Sequence, residues 1–266
     1  MATSWIDLFS AAISGGIVVK ALDLLYSEYR RRSEATQSAQ SVVEKHLDPI
    51  LKSADELVGK IRSLAQKDFK EIKIKLPIND QVLEKNIPFT STLYLFGQLW
   101  ARIQILRMES VYMDLGSNES GLRLQSFIYT LESSRIRIVD RAWQRGIGES
   151  LICFRGNELG ILSFYEFLDK YHLNESFREW FRPIREQLEM INHKKYRQRL
   201  LVYGVILHAL LNMLDPTHIV TRDRPGWANK LSKRSRRELE NRVFRVYLQF
   251  VDRPRYYTRP EVGAVN

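Results

Sequence analysis

The feature that most constrains this chain is its opening stretch of thirty-two residues. An apolar segment runs from Trp5 to Tyr26, has no charged residue between Leu8 and Val19, and is followed by three arginines at 30–32. Its length matches the roughly 20 mainly apolar residues that a transmembrane helix needs. Basic residues after such a helix favour a cytoplasmic position for the chain that follows. The sequence therefore predicts a membrane anchor over residues 1–32, with the bulk of the chain cytoplasmic.

Polar residues share one side of this predicted anchor helix. Gly16, Lys20 and Asp23 follow one another at spacings of four and three residues, which places them along a single stripe. Charges inside a membrane span usually face protein or water. In one interpretation several copies associate through this stripe and Lys20 neutralises Asp23. In the others Lys20 reaches toward the headgroups of a simple anchor, or the segment lies flat on the membrane or is a buried helix of a soluble protein.

Charge restricts the class of partner. The chain has 41 Lys and Arg residues against 31 Asp and Glu, a net charge of +10. This excess favours a negatively charged partner, either the anionic inner leaflet of a membrane or a nucleic acid. The single cysteine, Cys153, cannot form an internal disulfide and fits a reducing cytoplasm. The five histidines form no metal-binding motif, so neither a metal nor another cofactor is expected.

The remainder of the chain has a mainly helical pattern. A polar run from residue 33 predicts a helical stalk to residue 70, with a new helix start at Asp48-Pro49 because both residue types favour helix N-termini. Further helices are predicted from apolar spacing near residues 90–112, 120–131, 136–145, 164–171, from 177 onward, 184–214 and 236–251. Gly146 and Gly148 are interpreted as a helix C-terminal cap.

A small β-hairpin is compatible with the residues flanking the polar turn at 155–159. We therefore predict a mainly α fold: an N-terminal membrane-anchor helix and stalk, then a cytoplasmic helical bundle over 71–252 with one small hairpin. Residues 253–266 are predicted to be an irregular tail.

A polar seam is predicted inside the bundle. Leu200 to Leu214 is uncharged for fifteen residues, which is short for a membrane span and suits a core helix. Gly204, His208 and Asn212 recur on it every four residues. The seam is either a ligand-binding or proton-handling site, or a buried histidine and asparagine whose hydrogen bonds are satisfied by neighbouring groups.

The densest positive charge lies between Arg222 and Arg245, with nine basic residues against three acidic ones. Candidate ligands for phosphate or lipid headgroups within it are Lys230, Lys233, Arg234, Arg236 and Arg237. The alternative interpretation is a solvated basic helix face.

No catalytic motif accompanies these features. The leading hypothesis is a membrane-tethered, self-associating interaction or effector protein. A second hypothesis is a nucleic-acid or nucleotide-binding protein that uses the basic C-terminal region. A third is an enzyme of undefined class that uses the polar seam.

Overall fold

The computed structural model describes residues 17–72, 86–226 and 230–259, with only the backbone described for residues 17–35. In chain order the helices are α1 (Ile17–Gln66), α2 (Ile87–Glu109), α3 (Glu119–Glu132), α4 (Arg141–Leu151), α5 (Phe164–Leu173), α6 (Glu175–Glu189), α7 (Lys194–Leu214), α8 (Lys233–Glu238) and α9 (Pro254–Thr258). Strands β1 (Ile152–Arg155) and β2 (Glu158–Ile161) pair antiparallel, and a π-helix (Leu239–Tyr247) continues α8. Short 3-10 turns occur at Lys70–Ile72, Leu115–Ser117 and Met190–Asn192. The prediction of a mainly helical fold with one small hairpin is confirmed.

The predicted membrane anchor receives no support from this structure. Across the parts of the chain that are described, no helix combines the length and the apolar character needed to cross a bilayer. Residues 1–16 of the predicted anchor, including Gly16, lie outside the described residues. Lys20 and Asp23 lie within α1, where only the helical backbone is described.

Helix α1 continues through Pro49, so the predicted new start at Asp48-Pro49 is wrong. A proline inside a helix removes one backbone hydrogen bond. That loss is outweighed by burial, because Ile50, Leu57 and Ile61 on the same helix are at most 1% exposed. The C-terminal half of the predicted stalk is thus a core helix, and the boundary at residue 70 remains a prediction.

The core is built around α2 and α7, which both pack against α1. Helix α7 is buried almost continuously from Leu200 to Leu211, as expected for a central helix. The Trp100 indole on α2 donates a hydrogen bond to the Tyr203 hydroxyl on α7 at 3.0 Å. Both side chains are buried, so this bond ties the two central helices together inside the core.

The glycines predicted to end a helix lie inside α4 instead. A Cβ added to Gly148 would lie 2.8 Å from the carbonyl carbon and oxygen of Trp100. Gly148 therefore allows the backbones of α2 and α4 to approach closely. Ile136 and Val139, predicted to be helical, lie in the irregular segment between α3 and α4 and are buried there.

Another helix boundary differs from prediction. The predicted helix 184–214 is divided at residues 190–193, and Pro183 lies inside α6 without ending it. Asp215 follows the end of α7, where its carboxylate accepts hydrogen bonds from three backbone amides at 2.8–3.0 Å. The aspartate therefore organises the turn after α7, because those amides would otherwise lack partners.

The predicted irregular tail begins with an ordered helix. Helix α9 buries Tyr257 and Thr258, and the Thr258 hydroxyl donates a hydrogen bond to Glu240 in the π-helix at 2.8 Å. Arg259 binds the same carboxylate through two contacts of 2.9 Å. These contacts hold residues 254–259 against the bundle, while residues 260–266 lie outside the described part.

Candidate phosphate-binding groove

A groove of about 760 Å³ lies between the start of α7 and helix α8. One wall comes from the first two turns of α7, the other from α8 and the π-helix, and one end from the loop between α3 and α4. Seven basic side chains line it: Arg135, Lys194, Lys195, Arg199, Lys233, Arg234 and Arg242. We call this surface the basic groove. Ile136 and Val202 give it a small apolar component.

Hydrogen bonds within the fold set the separation of the two walls. Gln198 on α7 donates from Nε2 to the Lys230 carbonyl at 3.1 Å, and its Oε1 accepts from the Ser232 backbone amide at 2.7 Å. The Ser232 hydroxyl in turn caps α8 by accepting from the Ser235 amide at 3.2 Å. One glutamine therefore attaches the segment that leads into α8 to α7, and the first residues of these helices, Lys194 and Lys233, both line the groove.

The predicted basic candidates divide into two groups. Lys233 and Arg234 line the basic groove. Arg237 lines an adjoining depression of about 490 Å³, which we call the side depression. Arg236 instead donates to the Leu231 carbonyl at 3.2 Å, and the Lys230 ammonium lies 3.9 Å from the Asp68 carboxylate. The last two are committed to contacts within the fold.

Several groove residues were not predicted from the sequence. Lys194, Lys195 and Arg199 precede the basic region that begins at Arg222 by more than twenty positions, and Arg135 lies in a different loop. The only local signal was the charged first half of the predicted helix 184–214. Nothing in spacing along the chain indicated that this half would face α8.

A single carboxylate interrupts the positive lining. Among the described residues that line the basic groove or the side depression, Glu238 is the only acidic one. Its Oε1 lies 3.2 Å from Arg135 Nη1 and 3.7 Å from Arg242 Nη1. The other five groove cations have no carboxylate within ion-pair distance among the residues that the structure describes. The groove thus has a large excess of positive charge with one internal counterion.

The π-helix that follows α8 distinguishes this wall from an ordinary helix. It extends over nine residues, with Leu239, Val243 and Phe244 buried beneath it. π-Helical turns are rare in proteins and frequently occur at functional sites. Arg242 on this π-helix lies 3.7 Å from the Glu238 carboxylate at the end of the groove, while Leu239, Val243 and Phe244 pack on the core.

The residues of the predicted polar seam make several contacts inside the fold. A Cβ at Gly204 would lie 3.0 Å from Ile61, so this glycine serves helix packing. His208 is 1% exposed and donates from Nε2 to the Arg224 carbonyl at 2.9 Å. Burial lowers the pKa of His208 to about 4, although the hydrogen bond to that carbonyl raises it, and nearby Arg62 and Arg224 also lower it. Asn212 hydrogen-bonds the Tyr257 hydroxyl.

The loop above this seam is held by a buried ion pair. Arg224 Nε lies 2.6 Å from the Asp55 carboxylate, and both side chains are at most 15% exposed. The seam thus contacts α1, α7 and α9, with His208 and Asn212 each making one polar contact, whereas the buried Asn212 Oδ1 has no hydrogen-bond partner among the described residues. Both interpretations of the seam remain predictions.

Neither a metal-binding cluster nor a known relative points to a function for the described residues. Within residues 17–72, 86–226 and 230–259, no cluster of three or more His, Cys, Asp or Glu side chains is arranged to hold a metal ion. No known protein family, curated protein or solved structure matches the chain. Functional interpretation therefore depends on the geometry and charge of the basic groove.

Proposed function

We propose that the protein binds nucleic acid through the basic groove. One observation carries this proposal: seven cations from three separate parts of the chain line a single groove that contains one carboxylate. Cations placed without matching carboxylates repel one another, and phosphate groups would relieve that repulsion. Phosphate contacts of this kind supply most of the sequence-independent affinity of nucleic-acid-binding proteins.

The shape of the surface supports a strand in preference to a lipid membrane. Headgroup phosphates lie in a plane, and a plane reaches only the rim of a groove, whereas a polynucleotide backbone can enter it. The side depression adjoins the groove and shares Lys233, Arg234 and Arg242 with it. Positive charge therefore extends beyond a single small-molecule pocket, as an elongated polyanion requires.

The predicted membrane tether and self-association remain predictions about residues 1–32. The groove proposal is independent of them, because every residue that it uses lies between positions 135 and 242. A tethered protein could bind nucleic acid with the same surface.

The proposal is tested with a double charge reversal, Lys194→Glu with Lys233→Glu. Each residue is the first of its helix and lies on an opposite wall. Acidic residues in a first helical turn interact favourably with the helix dipole, so the fold should tolerate both changes. Each phosphate contact to a single strand releases about 0.7 counterion on binding. The loss of two contacts should therefore weaken single-strand binding about 25-fold in 0.1 M salt.

Binding is measured by fluorescence anisotropy of a labelled single-stranded oligonucleotide at several salt concentrations. The matched control is Lys52→Glu with Arg222→Glu, which makes the same change in net charge at exposed positions outside the groove. The groove variant should also reduce the slope of log affinity against log salt by about 1.4, whereas the control should retain the slope.

Other results would contradict the proposal. Equal losses in the two double variants would mean that net charge alone attracts the strand. Wild-type protein that binds anionic vesicles or a mononucleotide but no oligonucleotide would assign the groove to a different ligand class. Circular dichroism spectra and thermal melting of both variants verify that each is folded.

A further inference from the structure

Glu238 lies where two basic surfaces meet. It lines both the basic groove and the side depression, and so do Lys233, Arg234 and Arg242. Its Oε1 contacts guanidinium groups from two separate elements, Arg135 in the loop after α3 and Arg242 in the π-helix. The glutamate side chain is 34% exposed, so solvent and solutes can reach it. The carboxylate therefore occupies the position between two arginines that an external anion would take.

The charge on a competing anion decides whether it can replace this carboxylate. Glu238 is a monoanion held beside its arginines by the fold, which corresponds to a high effective concentration. An internal phosphodiester is also a monoanion, so replacing the Glu238 carboxylate with a phosphodiester gains little binding free energy. A terminal phosphate monoester is mostly a dianion near neutral pH, because its second pKa is about 6. It offers a second charge and three acceptor oxygens to the same two guanidinium groups.

We propose that a terminal phosphate of the bound strand binds between Arg135 and Arg242 and displaces the Glu238 carboxylate. The groove then selects phosphorylated ends over internal phosphodiesters. Glu238 acts as a built-in competitor that internal phosphates cannot replace. This inference rests on the proposed nucleic-acid binding and specifies which part of the strand meets this end of the groove.

The experiment compares one single-stranded oligonucleotide carrying a terminal phosphate with the same strand ending in hydroxyl groups. Both the 5′ and the 3′ phosphorylated forms are tested. Wild-type protein should bind at least one phosphorylated form about tenfold more tightly than the hydroxyl form, as expected for added charge-assisted hydrogen bonds. In Glu238→Gln, the hydroxyl form should gain about tenfold in affinity and the preference should largely disappear, because diesters then reach both arginines.

The matched control is Glu179→Gln, which removes the same charge from an exposed carboxylate that pairs with Arg182 on α6, outside the groove. This variant should retain the wild-type preference. Equal gains in the two variants would reduce the effect to net charge and overturn the inference. Weaker binding of both strands by Glu238→Gln would show that the glutamate positions the arginines, which also overturns it.

Failure of this inference is distinguishable from failure of the proposed function. Groove-dependent binding of oligonucleotides with no preference for either phosphorylated end would refute end selection and leave the proposed function in place. Absence of oligonucleotide binding by wild-type protein would refute both.

Discussion

Acidification should destabilise this fold through His208. The imidazole is 1% exposed, and burial lowers its pKa to about 4 in the folded state. In the unfolded chain the pKa returns to about 6.5, so the unfolded state binds the proton more tightly. The stability that comes from keeping His208 neutral is therefore present above pH 6.5 and is lost progressively as the pH falls toward 4.

The size of the effect follows from the two pKa values. Between pH 7 and pH 5 the linkage relation assigns a loss of about 2 kcal/mol to this one residue. His208→Gln isolates it, because a glutamine amide can donate to the same Arg224 carbonyl and does not titrate. All other ionisable groups are common to both proteins, so their contributions cancel in the comparison.

Urea unfolding followed by far-UV circular dichroism at both pH values provides the measurement. Wild-type protein should lose about 2 kcal/mol more than His208→Gln between pH 7 and pH 5. If His208→Gln is already less stable than wild type at pH 7, that difference reflects packing. It is subtracted before the two losses between pH 7 and pH 5 are compared. Equal losses in the two proteins would refute the reasoning, since the folded protein would then accommodate a charged imidazole.

Two further changes test the contacts between central helices. Gly148→Ala should reduce stability by about 1–3 kcal/mol in urea unfolding, because the new methyl group would lie 2.8 Å from the Trp100 carbonyl; unchanged stability would mean that α2 and α4 separate without cost. Tyr203→Phe should cost about 1–3 kcal/mol in thermal or urea unfolding, because it leaves the buried Trp100 indole N–H without its hydroxyl acceptor. If the stability losses of Trp100→Phe and Tyr203→Phe simply add in the double variant, the two side chains do not interact and the Tyr203→Phe prediction is wrong.

Much of the helical architecture could be predicted because it depends on local patterns. Apolar spacing located α2, α3, α5 and the buried part of α7. In the structure α5 begins at a capping box between Ser163 and Glu166, and both of its hydrogen bonds are present. The hairpin followed from a polar turn between two short apolar runs, and Gly156 in that turn has a φ of +64°. In each case the deciding residues lie within one turn or one strand pair.

The errors arose where tertiary contacts outweigh local signals. Proline normally marks a helix start, but burial of α1 on both sides of Pro49 favours a continuous helix. Glycine normally marks a helix end, but Gly148 is required by the approach of a second helix that has no signature near it in the sequence. The break at residues 190–193 contains neither glycine nor proline, so nothing local indicated it.

The candidate site shows why charge along the chain is a poor measure of charge in space. Arg224, Lys230 and Arg236 contribute to the basic count of the C-terminal region, yet the fold directs them to Asp55, Asp68 and a backbone carbonyl. Their places in the groove are taken by cations from α7 and from the loop after α3.

The acidic residues are sorted by the fold in the same way. Glu240 accepts contacts from Thr258 and Arg259, so it holds α9 and does not neutralise the groove. Among the acidic residues that the structure describes, only Glu238 lines the basic groove. Because one carboxylate then opposes seven cations, a single charge change at Glu238 should alter ligand binding more than the same change elsewhere. The comparison of Glu238→Gln with Glu179→Gln measures that difference directly.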